Sequence, residues 1–437
     1  MRLSLYILFA IFLLSAERAD ANGVLRNGNS AEAMATGGTD TASADTPVDA
    51  LAGNPAGLGL IDNEGFQISV ASAILDAEFV NASNPASVDS ASPANLVPDL
   101  AYAGRFGRLA FGLGLNPMAL AETDWRFLDA PGGSTGNISY GLSKQRSKFV
   151  AVRGSAAVAV EVAPRLHAGA SFGVIYNENT LQAPYIFQSQ PVLRGTKVLL
   201  DMKTDGIGYN ATFGLLWQPA DDWNVGLRYS LPATIDSEGT ASGDASLETA
   251  GAVRGFGYDA EVEVELPAIA SLGLSWQARR DLELRGQLDW INWSDAFDEL
   301  PVRLSNGTNA TLNTVVGADS LTDIVPLGWE DRLVIRLGAA YRWSDRTTFR
   351  AGYSYGKSPV PGTLLTPLNA AILEHTVGLG IGRRIGDYQV DFAYQWDLPV
   401  KQGVGRSALR AGEFSNSETE VGIHWLALSI SLTSPFR

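Results

Sequence analysis

The apolar residues of this chain fall on alternate positions, and a period of two belongs to a strand half-buried in a sheet. Residues 387–397 place Tyr388, Val390, Phe392, Tyr394 and Trp396 on one parity and Gln389, Asp391 and Gln395 on the other. The pattern recurs at 281–293, 331–343, 347–356, 206–217 and 222–230, always with large apolar residues on one face. Weaker segments at 65–79, 97–106, 108–118, 146–161, 165–178, 258–278, 373–384 and 417–434 bring the expected strands to fourteen. Forty-six glycines, 10 Trp, 13 Tyr and 17 Phe suit strands, turns and membrane interfaces.

The opening residues carry Arg2, an apolar run from Leu3 to Leu14 and the small-x-small site Ala19-Asp20-Ala21. This reads as a secretory signal over 1–21, cut after Ala21. Its apolar run falls short of the roughly 20 residues that cross hydrocarbon as a helix. Beyond it no apolar run is long enough either, so a membrane-spanning chain here must close a barrel, whose edges vanish on closure.

The connections test that expectation, because outer-membrane barrels alternate short periplasmic turns with longer extracellular loops. Tight links fall near Gly107, at Ala163-Pro164, Pro219-Ala220-Asp221, Arg279-Arg280, Ser344-Asp345 and Gly386-Asp387. Between them lie long stretches around 80–96, 119–145, 179–203, 231–257, 294–330, 357–372 and 398–416. A soluble sandwich or propeller has no reason to alternate its loop lengths. The expected fold is therefore all-β, a transmembrane antiparallel 14-stranded barrel over 63–437 in a Gram-negative outer membrane. Trp217, Trp223, Trp276, Trp343 and Trp396 at strand ends fit its aromatic girdle. The final strand keeps one parity through Leu426, Leu428, Ile430 and Leu432 to Phe436, with Arg437 added after the aromatic.

Cys 0 excludes disulfides, thiolate nucleophiles and cysteine metal sites, and a net charge of -15 argues against nucleic acid. Only three histidines exist, His167, His375 and His424, and none pairs with a serine at a spacing that suggests catalysis. Glu374 and His375, adjacent on a strand, face opposite sides and make a poor metal pair. Asn306-Gly307-Thr308 and Asn309-Ala310-Thr311 match glycosylation acceptors, a signal of little force in a bacterial setting. No enzyme activity, cofactor or metal is expected.

Residues 22–62 precede the barrel and are small, polar and turn-rich, ending in Gly53-Asn54-Pro55-Ala56-Gly57-Leu58. They read either as a periplasmic tail or as a plug inside the barrel, where surrounding protein tolerates irregular backbone at membrane depth. Here the chain resembles the FadL/TodX family of outer-membrane transporters for long-chain fatty acids and aromatic hydrocarbons. The likeness rests on Asn54-Pro55-Ala56, similar to that family's hatch motif, then Leu266-Pro267 leading into Ser271-Leu272-Gly273 and Trp293-Ser294. Gly328-Trp329-Glu330-Asp331, Arg350-Ala351-Gly352-Tyr353 and Ser358-Pro359-Val360-Pro361 follow in order.

The resemblance implies a hatch over 22–62, passive uptake of small hydrophobic compounds through an apolar lumenal pocket, and a side opening at the third strand. The matching residues are Gly112, Gly114, Asn116 and Pro117, and a proline within a strand removes a ladder hydrogen bond. If the solute carries a carboxylate, strand parity offers Arg228, Arg285, Arg336, Arg342 and Arg350 as lumenal partners, although Glu283, Asp289 and Asp391 share the lumen. The expected partners are a hydrophobic small molecule, outer-membrane lipid and lipopolysaccharide, and the barrel-assembly machinery, with the protein a monomer. A general porin for hydrophilic solutes and an adhesive or structural barrel are the alternatives.

Overall fold

A computed structural model describes residues 23–61, 64–92 and 94–432; the signal segment 1–21 and the terminal Phe436 and Arg437 lie outside the described residues. Fourteen antiparallel strands close on themselves. The first is β1 (Gly65–Asn81), followed by a short β2 (Asn84–Asp89), then β3 (Asn95–Phe106), β4 (Leu109–Leu128), β5 (Leu142–Ala163), β6 (Leu166–Ile186), β7 (Lys197–Ala220) and β8 (Trp223–Ser230). After β9 (Ala233–Asp244) and β10 (Phe256–Leu266) the wall resumes with β11 (Ile269–Arg279) and β12 (Leu282–Ile291). Then come β13 (Glu299–Ser305) and β14 (Leu321–Pro326), and finally β15 (Arg332–Ser344), β16 (Thr347–Tyr355), β17 (His375–Ile385), β18 (Tyr388–Val404) and β19 (Ser417–Leu432). Closure comes from β1, which pairs with β3 on one side and β19 on the other. All six tight links join the strands they were expected to join.

The outward parity is apolar, as lipid requires: Leu109, Phe111, Leu113 and Leu115 on β4, and Leu426, Leu428 and Ile430 on β19, are exposed. Trp217 and Trp343 stand exposed near the short turns. Trp223 and Trp276, cross-strand partners, stack with ring centroids 5.5 Å apart, so Trp223 is buried under its neighbour.

Two sequence readings need correction. Residues 258–278 are not one strand, because Pro267 cannot donate to a ladder: β10 ends at Leu266 and β11 begins at Ile269. β10 pairs with β9 and β13 instead of joining the membrane wall. Much of the stretches read as loops at 119–145, 179–203 and 231–257 is also strand, forming with β13 and β14 a crown outside the membrane. The outward parity there is polar, so the lipid-facing signature that marks a membrane strand is missing; the crown's apolar side turns inward through Leu200, Ile235, Tyr258, Val262 and Leu304.

Residues 23–61 fill the lower lumen. Ser30 caps a short helix (Ala31–Ala35) and Thr46 caps a second (Pro47–Ala52), each accepting from a backbone N–H. The wall receives this irregular backbone on inward glycines. A β-carbon on Gly226 would lie 2.1 Å from the Thr41 carbonyl oxygen, and one on Gly352 would lie 2.1 Å from the Thr36 carbonyl carbon. Polar ties complete the docking. Glu32 accepts from Arg285 at 2.9 Å and Arg350 at 2.7 Å, and Gln287 accepts from the Asp40 and Thr41 amides at 3.0 and 2.9 Å.

Gly226→Val should therefore expel the plug while the wall still closes. Expected are a heat-modifiable, folded barrel, protease cleavage within residues 30–60, and a rise in single-channel conductance, since overpacking at such a contact costs roughly 1–3 kcal/mol or more.

Candidate functional site: a parted wall beside an apolar cavity

The ladder between β3 and β4 runs from Phe106↔Leu109 to Leu100↔Leu115 and stops. Continued by two positions, that register would set Pro98 against Pro117, and neither residue has an N–H to give. Each is held on its other side, Pro98 by Val70 of β1 and Pro117 by Val152 of β5, so the wall parts between β3 and β4 without either strand leaving the barrel. A bulge between Pro117 and Ala119 bends β4 at the same level. Farther out the two sides rejoin, where the Ala91 amide donates to the Asp124 carbonyl at 2.7 Å.

The backbone groups freed at the break are met from inside by the plug's leading segment. Leu120 N donates to Val24 O at 3.3 Å and Arg26 N to Met118 O at 3.4 Å, making Leu25 an antiparallel bridge partner of Ala119. Asn29 Nδ2 reaches Pro117 O at 3.3 Å, and Asp99 accepts from Asn29 at 2.9 Å and from Arg26 at 2.7 Å. Residues 24–29 thus substitute for the missing stretch of β3.

Gly112 and Gly114 do not belong to this break, contrary to the sequence reading. They pair with Ala103 and Ala101 in the intact ladder, and their inner faces are covered by Leu51 and Leu58 of the plug. Asn116 and Pro117 do lie at it. Pro98 was missed, although a second proline inside a segment read as strand was the available signal.

Directly behind the break lies a cavity of about 240 Å³. Asn95, Leu120 and Ala121 from the two lips line it together with Val24 from the plug, while Phe149, Phe297, Trp329 and Trp425 form aromatic walls. Phe297 stacks on Trp329 at 4.7 Å and meets Phe149 edge-on at 6.1 Å. Trp329 comes from the Gly328-Trp329-Glu330-Asp331 motif, and Trp293 from the other Trp motif packs behind it at 4.9 Å. Below the cavity the interior turns polar, with Arg26, Asp40, Arg153, Arg228, Asp289 and Arg336 around a space of about 80 Å³.

The five inward arginines are placed as parity indicated, yet none of them lines the apolar cavity. Arg228 faces Asp40 at 3.8 Å, Arg285 pairs with Glu32 and Glu283 at 2.9 Å each, and Arg350 pairs with Glu32 and Asp391 at 2.7 Å each. Arg336 binds Asp289 at 2.5 Å and also meets Asn27. Arg342 stands in a polar vestibule near the short turns. Four of the five therefore hold plug or wall carboxylates, balancing the interior charge that Glu283, Asp289 and Asp391 bring to the lumen.

Asn54 in Asn54-Pro55-Ala56 accepts from the Ala56 amide at 3.1 Å and donates to Thr41 O at 2.7 Å and Leu215 O at 3.1 Å. The motif pins two turns of the plug to β7. The histidines stay apart: His167 packs against Gly59, while His375 and His424 share hydrogen bonds of 2.7 Å with Tyr353 and Tyr394.

The profile of the family described as outer membrane protein transport protein (OMPP1/FadL/TodX) matches residues 12–401. The chain belongs to this family. No curated protein sequence matches it closely. Among solved structures, a Pseudomonas aeruginosa FadL homologue superposes with a TM-score of 0.75 at 16% identity, covering 95% of this chain and 100% of that one. The Pseudomonas putida toluene transporter TodX gives 0.74 at 19%, covering 94% and 100%, and the Ralstonia pickettii toluene transporter TbuX gives 0.70 at 21%, covering 92% and 98%. At these identities the superpositions establish a shared fold, and this FadL/TodX member is an outer-membrane barrel.

The crown of this FadL/TodX member is latched above the cavity by a buried cation. Lys197 Nζ donates to Asp129 at 2.6 Å, to Ala130 O at 2.7 Å and to Glu413 at 3.0 Å, joining three connections. Burial pushes the Glu413 carboxyl up to about 7, with Lys197 opposing the rise and Asp129 adding to it. A carboxyl raised above its ordinary 4.5 stabilises the docked state fully below that value and loses the contribution as pH rises through about 7. Protection of 405–416 against hydrogen exchange, taken relative to the intrinsic rate at each pH, should accordingly fall between pH about 4.5 and about 7 and level off above, and Glu413→Gln should flatten the profile.

Proposed function

We propose that this chain carries small hydrophobic molecules across the lipopolysaccharide layer and releases them sideways into the outer-membrane bilayer, without an energy source. The observation that carries the reading is the shared wall: the lips of the Pro98/Pro117 break are also walls of the apolar cavity. A solute in the cavity has the ionic plug beneath it and the parted strands beside it. Burying apolar surface in lipid is favourable by about 0.8 kcal/mol per methylene, so the lateral step runs downhill once the sugars are passed. The chemistry is positioning and exclusion of water, with no bond made or broken, which fits a transporter and not an enzyme.

Residues 24–29 form the gate in this scheme. Their two backbone bonds to β4, each 3.3–3.4 Å long, are fewer than an uninterrupted ladder would make, so withdrawal of the segment, with exchange of the Asp99 contacts of Arg26 and Asn29 and the Arg336 contact of Asn27, opens the route while the ionic ties of Glu32 and Asp40 keep the rest of the plug seated. The toluene named for the TodX and TbuX structures falls within the substrate range proposed here. One chain encloses the whole route, so a monomer suffices.

Replacing both prolines, Pro98→Thr with Pro117→Thr, supplies the missing donors and lets β3 and β4 zip together. Uptake of a radiolabelled hydrocarbon by cells should fall about tenfold or more while the barrel still assembles. Undiminished uptake by a folded double variant would rule out sideways release, and a large steady conductance from the unaltered protein would favour an open porin.

A further inference from the structure

We propose that the polar chamber beneath the apolar cavity binds one small monovalent anion of the halide class, with Arg153 as its principal ligand. The site is separate from the hydrophobic route and goes beyond the transport reading. It is argued from charge, from unspent donors and from the way the wall is shaped around one side chain.

Arg153 projects inward from β5 and is only 2% exposed. Its Nε donates to Asn210 Oδ1 at 2.7 Å, its Nη2 to Ser171 Oγ at 2.8 Å and its Nη1 to Leu51 O at 3.3 Å. All three partners are neutral. The carboxylates near the chamber are engaged elsewhere: Asp99 binds Arg26 at 2.7 Å, Asp289 binds Arg336 at 2.5 Å, and Asp40 faces Arg228 at 3.8 Å. Arg26, Arg153, Arg228 and Arg336 thus set four positive charges against three carboxylates, and the excess charge falls on Arg153. A buried charge without a counter-ion is costly, and one monovalent anion restores neutrality.

The donors agree with the charge. A guanidinium carries five N–H groups, so two of those on Arg153 remain after its three bonds. Arg26 Nη2 and Arg228 Nε, from residues lining the same chamber, are buried without a hydrogen-bond partner among the described residues. A chamber of about 80 Å³ exceeds the roughly 10–15 Å³ that one water needs, so an ion fits together with a few waters. Such waters can donate to the Asp40 Oδ1 and Asn116 Oδ1 oxygens, which are buried there without a partner among the described residues. The same carboxylates, Asp40 and Asp289, oppose a second negative charge and so select against sulfate or phosphate.

The wall is built to hold this guanidinium. A β-carbon on Gly173 would lie 2.2 Å from Arg153 Nε and 2.9 Å from its Cζ, so the group lies flat on the bare backbone of β6 between Ser171 and Asn210. Arg26 belongs to the plug, whereas Arg153 and Arg228 belong to the wall. An anion shared among them joins the two, and it does so beside Asn116 and Met118 on one lip of the break.

The test uses the purified full-length barrel in detergent, with gluconate replaced stepwise by chloride at constant ionic strength, and reads the rate of protease cleavage within residues 24–40. Cleavage should slow on the order of tenfold at about 100 mM chloride, the factor expected for a dissociation constant of about 10 mM, whereas sulfate should have no effect. Crystals of the unaltered protein grown in sodium bromide should show anomalous density beside the Arg153 guanidinium. Gly173→Ala, which crowds the guanidinium off its cradle, and Arg153→Met should each abolish both signals in a barrel that still folds. Bromide density that is lacking at Arg153 overturns the site, and cleavage indifferent to chloride overturns its hold on the plug. Protection by propionate with none by chloride assigns the chamber to a carboxylate and overturns the halide class. Each of these results leaves hydrophobic uptake standing.

Discussion

A wall standing in hydrocarbon must satisfy its own backbone hydrogen bonds, and the rest of this structure depends on that constraint. It forces β1 to pair at both edges and so closes the sheet. It also makes a pair of opposed prolines consequential. In water Pro98 and Pro117 would fray a sheet edge harmlessly; inside a membrane wall the freed carbonyls and amides of β4 need partners, and residues 24–29 supply them. The plug is therefore joined to the wall at the place where the wall fails.

The interior divides by the same logic. Where the plug docks, its carboxylates Glu32 and Asp40 neutralise arginines of the wall. These pairs are buried, and removing one partner of such a pair costs about 3–5 kcal/mol, so they hold the plug in register. Above them the cavity beside the break is enclosed mainly by apolar and aromatic side chains. The charged layer closes the direct way down and the prolines part the wall to the side, which together give the lumen a direction.

The legibility of these features in the sequence was uneven. Strand number, inside and outside, and the six tight turns could be read because lipid imposes a strict period of two on the membrane-spanning part. The crown could not, because its outward face is polar and its apolar side packs against other loops such as β13 and β14. Pro117 was legible as a break, but a break needs two strands, and Pro98 meets it only through register. Gly112 and Gly114, read as part of an opening, instead receive Leu51 and Leu58, because a glycine leaves the same space for a docked side chain as for a gap.

Alternation, turn spacing and the absence of helix-length apolar runs were sufficient in the sequence alone to determine a closed barrel, its membrane faces and the inward side of Arg228, Arg285, Arg336 and Arg350. Tertiary structure alone decided what those inward groups meet. Parity reports which side a residue occupies but not its height or its partner, and height separates an arginine bound to Glu32 from a tryptophan lining a cavity. The opposition of Pro98 to Pro117 follows from the register of the β3–β4 hairpin, whereas the bridging of that gap by Leu25 joins parts of the chain that are distant in sequence, and only docking of the plug inside the barrel brings them together.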